Sequence, residues 1–284
     1  MLIPVILALA LMSPDIDTPP KYKAWIEEQE VWIETNAGPR RVIYDALAAD
    51  PMAASPTGDR VVYGVVNPTF DAVHCGNTPQ KFVVLVDASG RFQWKTALEE
   101  ACNDFTKFEW IDDQRIGVML CGHANCFYWV LDAGSGKVLK KLMGGFDFLW
   151  SHDREWVAHR EIGMTPDEGG ALMFNDDRAV YPVLDRATGT FPSRDIGELT
   201  WSPDDKWVSF CETERPGEDW YIVLVSPHGD VLRTRLPDGV KYNGKVEWTD
   251  PSRLEIDTFG TMGHLVPYKY MVDGNTLREI TSKE

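Results

Sequence analysis

Histidine side chains are the groups of this chain best suited to acid–base or metal chemistry. Imidazole titrates near neutral pH and ligates transition metals. Four histidines, His74, His123, His159 and His264, lie far apart in the sequence, in or beside polar segments. If the fold brought them together, they would form a metal site. Separate histidines that serve packing or loop structure are the alternative, because a sequence does not specify where side chains point.

Acidic side chains dominate the charge of the chain. It carries 44 Asp+Glu against 28 Lys+Arg, a formal net charge of −16. Such a charge disfavours binding to nucleic acids, which requires a basic surface, and to anionic lipids. It favours cations, basic ligands or basic proteins. The alternative is that surface carboxylates only keep the protein soluble.

Many of the carboxylates occur in three long polar segments, residues 67–81, 161–179 and 213–219, or directly beside them. Together with the histidines and two nearby arginines they define a candidate binding face. Its residues are Asp71, His74, His123, His159, Arg160, Glu212, Glu214, Arg215, Asp219 and His264. Three further acidic residues, Asp167, Glu168 and Glu218, lie in the same segments.

The five cysteines suggest disulfides and therefore an oxidising compartment. Cys121 and Cys126 enclose four residues, a spacing that would allow them to bridge a hairpin. Cys75 and Cys102 are the second candidate pair, which leaves Cys211 as a buried thiol. Spacing alone does not fix the connectivity. A metal site formed by Cys121, His123 and Cys126 is a further alternative, although it departs from the C-x₂-C spacing of zinc knuckles.

The first element of an internal repeat combines a tryptophan or small apolar residue, a tight polar turn and a short apolar strand. Its copies are MAASPTGDRVVYGVV (52–66), FEWIDDQRIGVMLC (108–121), FLWSHDREWVAHRE (148–161), LTWSPDDKWVSFCE (199–212) and VEWTDPSRLEIDTF (246–259). The recurring position holds Trp110, Trp150, Trp201 and Trp248, and Ala54 in the first copy. Because these tryptophans recur, we expect them to pack between neighbouring sheets.

The second element of the repeat is a hairpin signal, an apolar strand followed by a glycine turn and another strand. Six copies alternate with the first element, and the earliest is VWIETNAGPRRVI (31–43). Their turn glycines are Gly38, Gly90, Gly136, Gly189, Gly229 and Gly274. Two short segments, 21–29 and 96–102, would each allow a turn or two of helix. The two elements together give four strands per unit.

Four-stranded units about 40–50 residues apart are typical of a β-propeller. Trp201-Ser-Pro-Asp-Asp205, followed by Lys-Trp-Val-Ser-Phe, resembles the WD-like repeats of TolB-type propellers. The resemblance implies an all-β propeller of five to six four-stranded blades, in one domain over residues 21–284. A six-bladed ring with a short first blade and a five-bladed ring with an N-terminal overlay both fit. Tandem β-sandwiches are the alternative fold.

The N-terminal segment predicts export of the protein. Residues 2–12 (LIPVILALALM) are apolar and uncharged, too short to span a bilayer but similar to the apolar region of a signal peptide. We therefore expect residues 1–14 to be a signal peptide and the protein to be periplasmic or secreted. A buried N-terminal strand or short helix is the alternative.

The functional expectation is a non-catalytic propeller that binds a protein or peptide partner through its long acidic loops. The sequence lacks G-x-S-x-G, P-loop, H-E-x-x-H and EF-hand motifs. We therefore expect no catalytic residue, no cofactor, no resident metal, no membrane span and a monomer. One alternative is a metal-assisted lyase or hydrolase that acts on a carbohydrate or small ester through His74, His159, His264 and Glu212. A purely structural role in assembly is the other.

Overall fold

The structure is a computed structural model in which β-strands form all the regular structure of the described residues. It describes residues 22–35, 38–45, 47–66, 81–98, 104–122, 126–144, 148–161, 171–175, 178–182, 195–196, 198–213, 219–237, 241–259 and 265–280. The strands form six antiparallel sheets that follow one another in chain order.

The first three sheets occupy the N-terminal half of the described chain. Sheet 1 contains β1 (Ala24–Glu27), β2 (Glu30–Thr35) and β3 (Gly38–Tyr44). Sheet 2 contains β4 (Ala48–Ala54), β5 (Arg60–Val66), β6 (Lys81–Asp87) and β7 (Phe92–Leu98). Sheet 3 contains β8 (Asp104–Trp110), β9 (Arg115–Cys121), β10 (Cys126–Asp132) and β11 (Val138–Gly144).

The last three sheets repeat this arrangement. Sheet 4 contains β12 (Phe148–Trp150), β13 (Val157–Glu161), β14 (Ala171–Phe174) and β15 (Arg178–Pro182). Sheet 5 contains β16 (Asp195–Ile196), β17 (Thr200–Trp201), β18 (Val208–Thr213), β19 (Trp220–Val225) and β20 (Val231–Arg235), and both β16 and β17 pair with β18. Sheet 6 contains β21 (Lys241–Asp250), β22 (Arg253–Phe259), β23 (Leu265–Asp273) and β24 (Thr276–Glu279).

Because strand direction alternates, different connections lie at the two ends of each sheet. In a four-stranded sheet, tight turns join the first strand to the second and the third to the fourth, and we call this end the turn face. The connection between the second and third strands, and the link to the next sheet, lie at the opposite end, the loop face. In sheet 2, for example, Val66 and Lys81 pair at the loop face, and Arg60 and Asp87 pair at the turn face.

Apolar side chains fill each of the five interfaces between consecutive sheets, because the central strands are apolar on both faces. Representative pairs across these interfaces are Val31 with Val61, Leu85 with Ile116, Tyr128 with Trp150, Phe174 with Phe210, and Leu224 with Ile256. Sheets 2 to 5 therefore each pack on both of their neighbours. This serial packing is the predicted β-propeller, and tandem sandwiches are wrong because a sandwich pairs its sheets two by two.

The repeated tryptophans connect each of sheets 3 to 6 to the sheet before it. Trp150 and Trp201 are buried, with 5% and 4% exposure, whereas Trp110 and Trp248 are half-buried. Each indole N–H donates a hydrogen bond into the preceding sheet. The acceptors are Ala53 O for Trp110 (3.3 Å), Tyr128 Oη for Trp150 (2.8 Å), Leu149 O for Trp201 (3.0 Å) and Ser209 Oγ for Trp248 (2.9 Å). The predicted position between sheets is confirmed.

Turn chemistry explains the other recurring residues. Gly38, Gly90, Gly136, Gly229 and Gly274 all have positive φ in turns between the last two strands of their sheets, where glycine avoids the Cβ clash. In sheets 4 and 5, the turns between the first two strands use serine instead. The hydroxyls of Ser151 and Ser202 each accept the backbone N–H five residues later, at 3.0 Å.

Sheet 1 belongs to the series, and its strands correspond to the second, third and fourth strands of the other sheets. The hairpin of β2 and β3 carries the turn glycine Gly38, so the sixth copy predicted at residues 31–43 is confirmed. The helical turns expected in segments 21–29 and 96–102 are wrong where the structure describes them. Ala24–Glu27 and the end of β7 are strands, because cross-strand pairing and burial outweigh a weak local helix preference.

Candidate binding face

Six of the ten residues predicted for the binding face lie outside the described residues. They are Asp71, His74, His123, Glu214, Arg215 and His264. The acidic Asp167, Glu168 and Glu218 lie outside them as well, as do Cys75, Cys102 and the predicted signal peptide. The structure therefore places His159, Arg160, Glu212 and Asp219, all of which belong to sheets 4 and 5.

His159 is a core histidine of sheet 4. It is 2% exposed, and its ring stacks on Phe148 with centroids 5.2 Å apart and planes 18° apart. Its Nε2 lies 3.2 Å from the carbonyl oxygen of Asn175. The side chain faces sheet 3, since the nearest atoms to a Cβ placed on Gly144 include His159 Nδ1. In this position His159 packs the interface between sheets.

Arg160 lies on the opposite face of sheet 4, toward sheet 5. The register aligns Arg160 with Leu172 and Leu172 with Tyr181 across β13, β14 and β15. Leu172 and Tyr181 belong to the core between sheets 4 and 5. Arg160 is therefore on the same side as Glu212, which is near the loop-face end of β18.

Glu212 is fully buried and not part of a surface loop, which differs from the expected position. Its Oε1 accepts hydrogen bonds from Tyr181 Oη at 2.8 Å and from Arg233 Nε at 2.9 Å. The Glu212 side chain is 0% exposed and that of Arg233 is 32% exposed. The Arg233 guanidinium also lies 3.5 Å above the ring centroid of Tyr221. A buried carboxylate requires such partners. Glu212, on the central strand β18, therefore connects β15, the last strand of sheet 4, and β20, the last strand of sheet 5.

Asp219 remains at the surface of the loop face. It pairs with Arg235 at 2.7 Å, and both side chains are 48% exposed. Since Asp219 precedes β19 and Arg235 ends β20, this ion pair lies at the end of sheet 5. Of the four placed residues, Asp219 is therefore the carboxylate most accessible to a partner.

A second acidic region on the loop face was not expected from the sequence. The β1–β2 turn and the link from β3 to β4 lie side by side there, since Asp45 N donates to Gln29 O at 2.9 Å. Glu27 and Glu28 are exposed, and Glu30 pairs with Arg41 at 2.8 Å. We call residues 27–30, Tyr44, Asp45 and Leu47 the sheet 1 tip.

The sheet 1 tip also presents large apolar side chains to solvent. Tyr44 is 59% exposed and Leu47 is 40% exposed. The Tyr44 hydroxyl donates to Gln29 Oε1 at 2.8 Å, and Tyr63 Oη donates to Asp45 Oδ2 at 2.9 Å. Burial and the Asp45 carboxylate raise the pKa of Tyr63 well above its usual value. The run Glu27-Glu28-Gln29-Glu30 indicated this acidic region in the sequence, but the expectation of a helical turn in segment 21–29 obscured it.

The hairpin disulfide is confirmed. Cys121 and Cys126 are bonded and join β9 to β10 at the loop face, with Cα atoms 4.1 Å apart. Cys211 is a buried free thiol, as expected. The metal site that would use both Cys121 and Cys126 is wrong, because the thiolate is the metal ligand and these two sulfur atoms are joined in a disulfide.

Histidines at the turn face have structural partners. Asp205 Oδ1 lies 2.6 Å from His152 Nδ1, and it accepts the His152 backbone N–H at 2.7 Å. These two contacts connect the β12–β13 turn of sheet 4 to the β17–β18 turn of sheet 5. The rings of His228 and Trp156 pack in a T-shaped arrangement with centroids 5.9 Å apart. Both histidines lie at the turn face.

Within the described ranges no group of three or more His, Cys, Asp or Glu side chains is arranged to hold a metal ion. The same ranges include no helix with the length and apolarity to cross a membrane.

Comparison with known proteins adds solved structures of similar architecture. No protein-family model matches the chain, and no curated protein sequence matches it either. The β-propeller domain of the Trilobed protease from Pyrococcus furiosus is 14% identical, over 89% of this chain and 74% of that one, with a TM-score of 0.41. TolB from Acinetobacter baumannii is 14% identical, over 79% of this chain and 53% of that one, with a TM-score of 0.37. The Dos1 propeller is 14% identical, over 80% and 60%, with a TM-score of 0.44.

The chain spans only 53% of the TolB chain and 60% of the Dos1 chain. Similarity at this level carries no function from one protein to another. The chain has the β-propeller fold, assigned from six sheets packed in series.

Proposed function

We propose that this propeller is a non-catalytic binding protein that takes a basic protein or peptide on its loop face. The observation that carries the proposal is the sheet 1 tip, where exposed Tyr44 and Leu47 stand among Glu27, Glu28 and Asp45. Exposed tyrosines surrounded by polar groups are characteristic anchors of protein interfaces. The net charge of −16 favours a basic partner.

The arrangement of the candidate residues in sheets 4 and 5 supports binding over catalysis. His159 is packed against Phe148, and Glu212 is hydrogen-bonded by Tyr181 and Arg233. A general acid or base must reach the substrate, and these two side chains are 2% and 0% exposed. Asp219, together with the acidic segments beside it in the sequence, extends the proposed face beyond sheet 1.

Binding of a labelled octa-arginine peptide, measured by fluorescence anisotropy, tests the proposal. Glu27→Gln combined with Glu28→Gln should weaken binding about three- to tenfold, and Tyr44→Ala about tenfold. The matched control is Asp113→Asn combined with Glu155→Gln, which makes the same change of charge at exposed positions of the turn face. Equal effects of the two double variants would mean general charge attraction and would overturn the proposal.

We further propose that the mature protein is exported as a monomer without residues 1–14. A loop-face disulfide supports an oxidising compartment, and the apolar run of residues 2–12 supports a cleaved signal peptide. An intact-mass measurement of protein isolated from its native source checks both points. Retention of Met1 together with free Cys121 and Cys126 thiols would contradict export.

A further inference from the structure

Among the described residues, the edge of sheet 1 at β1 is open. In the part of the chain that the structure describes, β1 pairs with β2 on one side and with no strand on the other. By direction β1 matches the second strands of the later sheets, and it lies close to β4, the first strand of sheet 2. The open edge therefore occupies the place where sheets 2, 3, 4 and 6 each have a first strand.

The register identifies the main-chain groups at this edge. Glu34 N donates to Lys23 O at 2.8 Å, so Lys23 is a residue whose main-chain groups face β2. In an antiparallel pair, such residues alternate with residues whose N–H and C=O point away. The N–H and C=O groups of Ala24 and Ile26 consequently point out of the sheet. They can accept an added strand.

The side chains beside the edge are mainly acidic and aromatic, with Lys23 as a cation directly before β1. Glu27 and Glu30 are directly opposite each other in the β1–β2 register. Glu30 is paired with Arg41, and Glu27 is exposed on the edge strand. Glu28 and Glu34 nearby are exposed. Trp25 stacks on Trp32 with ring centroids 6.1 Å apart and planes 12° apart. Cationic side chains along an added strand would pair with Glu27 and would lie beside the Trp25 ring.

We propose that the open edge of β1 binds an extended, basic segment of a partner protein as an additional strand. Main-chain hydrogen bonds to Ala24 and Ile26 supply affinity that does not depend on sequence. Lys or Arg at alternate positions of the segment provides selectivity through Glu27 and Trp25. The inference rests on the proposed function, because it specifies how the basic partner at the sheet 1 tip is held.

The decisive variant is Ile26→Pro, which removes an outward-pointing N–H. Proline is tolerated on an edge strand where the missing N–H faces solvent, and Ile26→Val is the matched control that keeps the N–H. The probe is a labelled peptide of four Arg-Val repeats with blocked termini. Ile26→Pro should weaken its binding about tenfold, and Ile26→Val should leave it unchanged. A peptide N-methylated at alternate residues, which cannot complete the ladder, should also bind about tenfold more weakly to the unaltered protein.

Hydrogen exchange of the full chain provides the second readout. The amides of Ala24 and Ile26 should exchange fast in the free protein and slowly with the peptide bound. Slow exchange in the free protein at every concentration would mean that the chain covers its own edge. Slow exchange only at high protein concentration would mean that a second copy covers it. Either result overturns the proposal.

The two proposals fail differently. If the Glu27→Gln and Glu28→Gln double variant weakens binding while Ile26→Pro and the N-methylated peptide do not, strand addition is overturned and the loop-face function stands. If none of these changes weakens binding, both proposals are overturned.

Discussion

Replacement of Glu212 by alanine should destabilise the propeller by about 3 kcal/mol, because it breaks a buried hydrogen-bonded ion pair. Loss of one partner of such a pair typically costs about 3–5 kcal/mol. The lower end applies, since the Arg233 side chain is 32% exposed and regains contact with water. The Tyr181 hydroxyl, in a residue only 9% exposed, also loses its acceptor, at a cost of about 1–3 kcal/mol that overlaps with the first figure.

The matched control is Asp219→Asn, in the same sheet and also paired with an arginine of β20. Its ion pair with Arg235 is 48% exposed on both sides, and exposed pairs contribute about 0–1 kcal/mol. Glu212→Gln, which keeps the shape of the side chain and an acceptor oxygen, should fall between the two.

Guanidinium unfolding followed by tryptophan fluorescence measures these differences as changes in the free energy of unfolding. If Glu212→Ala costs no more than Asp219→Asn, the structural role assigned to Glu212 is refuted. The carboxylate would then be free to serve the binding role expected from the sequence.

Three further predictions concern other parts of the fold. Tyr128→Phe should cost about 2 kcal/mol in guanidinium unfolding, because the buried indole N–H of Trp150 loses its acceptor; a change below about 0.5 kcal/mol would contradict this assignment. Replacement of Cys121 and Cys126 by serine should lower the free energy of unfolding by about 2 kcal/mol for so short a loop, and unchanged unfolding would contradict it. Hydrogen bonds led by the Ser89 hydroxyl lower the pKa of Asp87 from 3.8 to about 2. A lowered native pKa contributes stability above pH 3.8 that is lost as the pH falls toward 2, so the unfolding midpoint should drop in this window, and Asp87→Asn should flatten that drop.

The sequence was most informative where a local pattern repeats. Pro, Gly and Ser at fixed turn positions, and Trp110, Trp150, Trp201 and Trp248 at one place in each unit, predicted four-stranded sheets packed in series. Repetition makes the fold predictable because every unit has the same local requirements. Each contains a tight turn followed by an apolar strand that packs against a neighbouring sheet on each face. The Cys121–Cys126 disulfide was predictable for the same reason, since both residues lie at one end of one hairpin.

Side-chain direction was not accessible from the sequence. Alternation along a strand turns His159 toward sheet 3 and Arg160 toward sheet 5, and a shift of one residue would exchange them. Glu212 looks like a loop carboxylate in the sequence, but pairing extends β18 beyond it and encloses it with Arg233. Tertiary packing alone determined which of the acidic residues became structural and which remained available.

By itself, the sequence determined the repeat, the all-β propeller and the acidic character of the protein, because turn preferences and apolar alternation act between near neighbours. Tertiary structure decided that, among the described residues, β1 pairs only with β2, and that Tyr44 and Leu47 are exposed near Glu27 and Glu28. These features depend on which strand lies next to which. Strand pairing joins residues distant in the chain, and its energy comes from contacts that no local pattern contains.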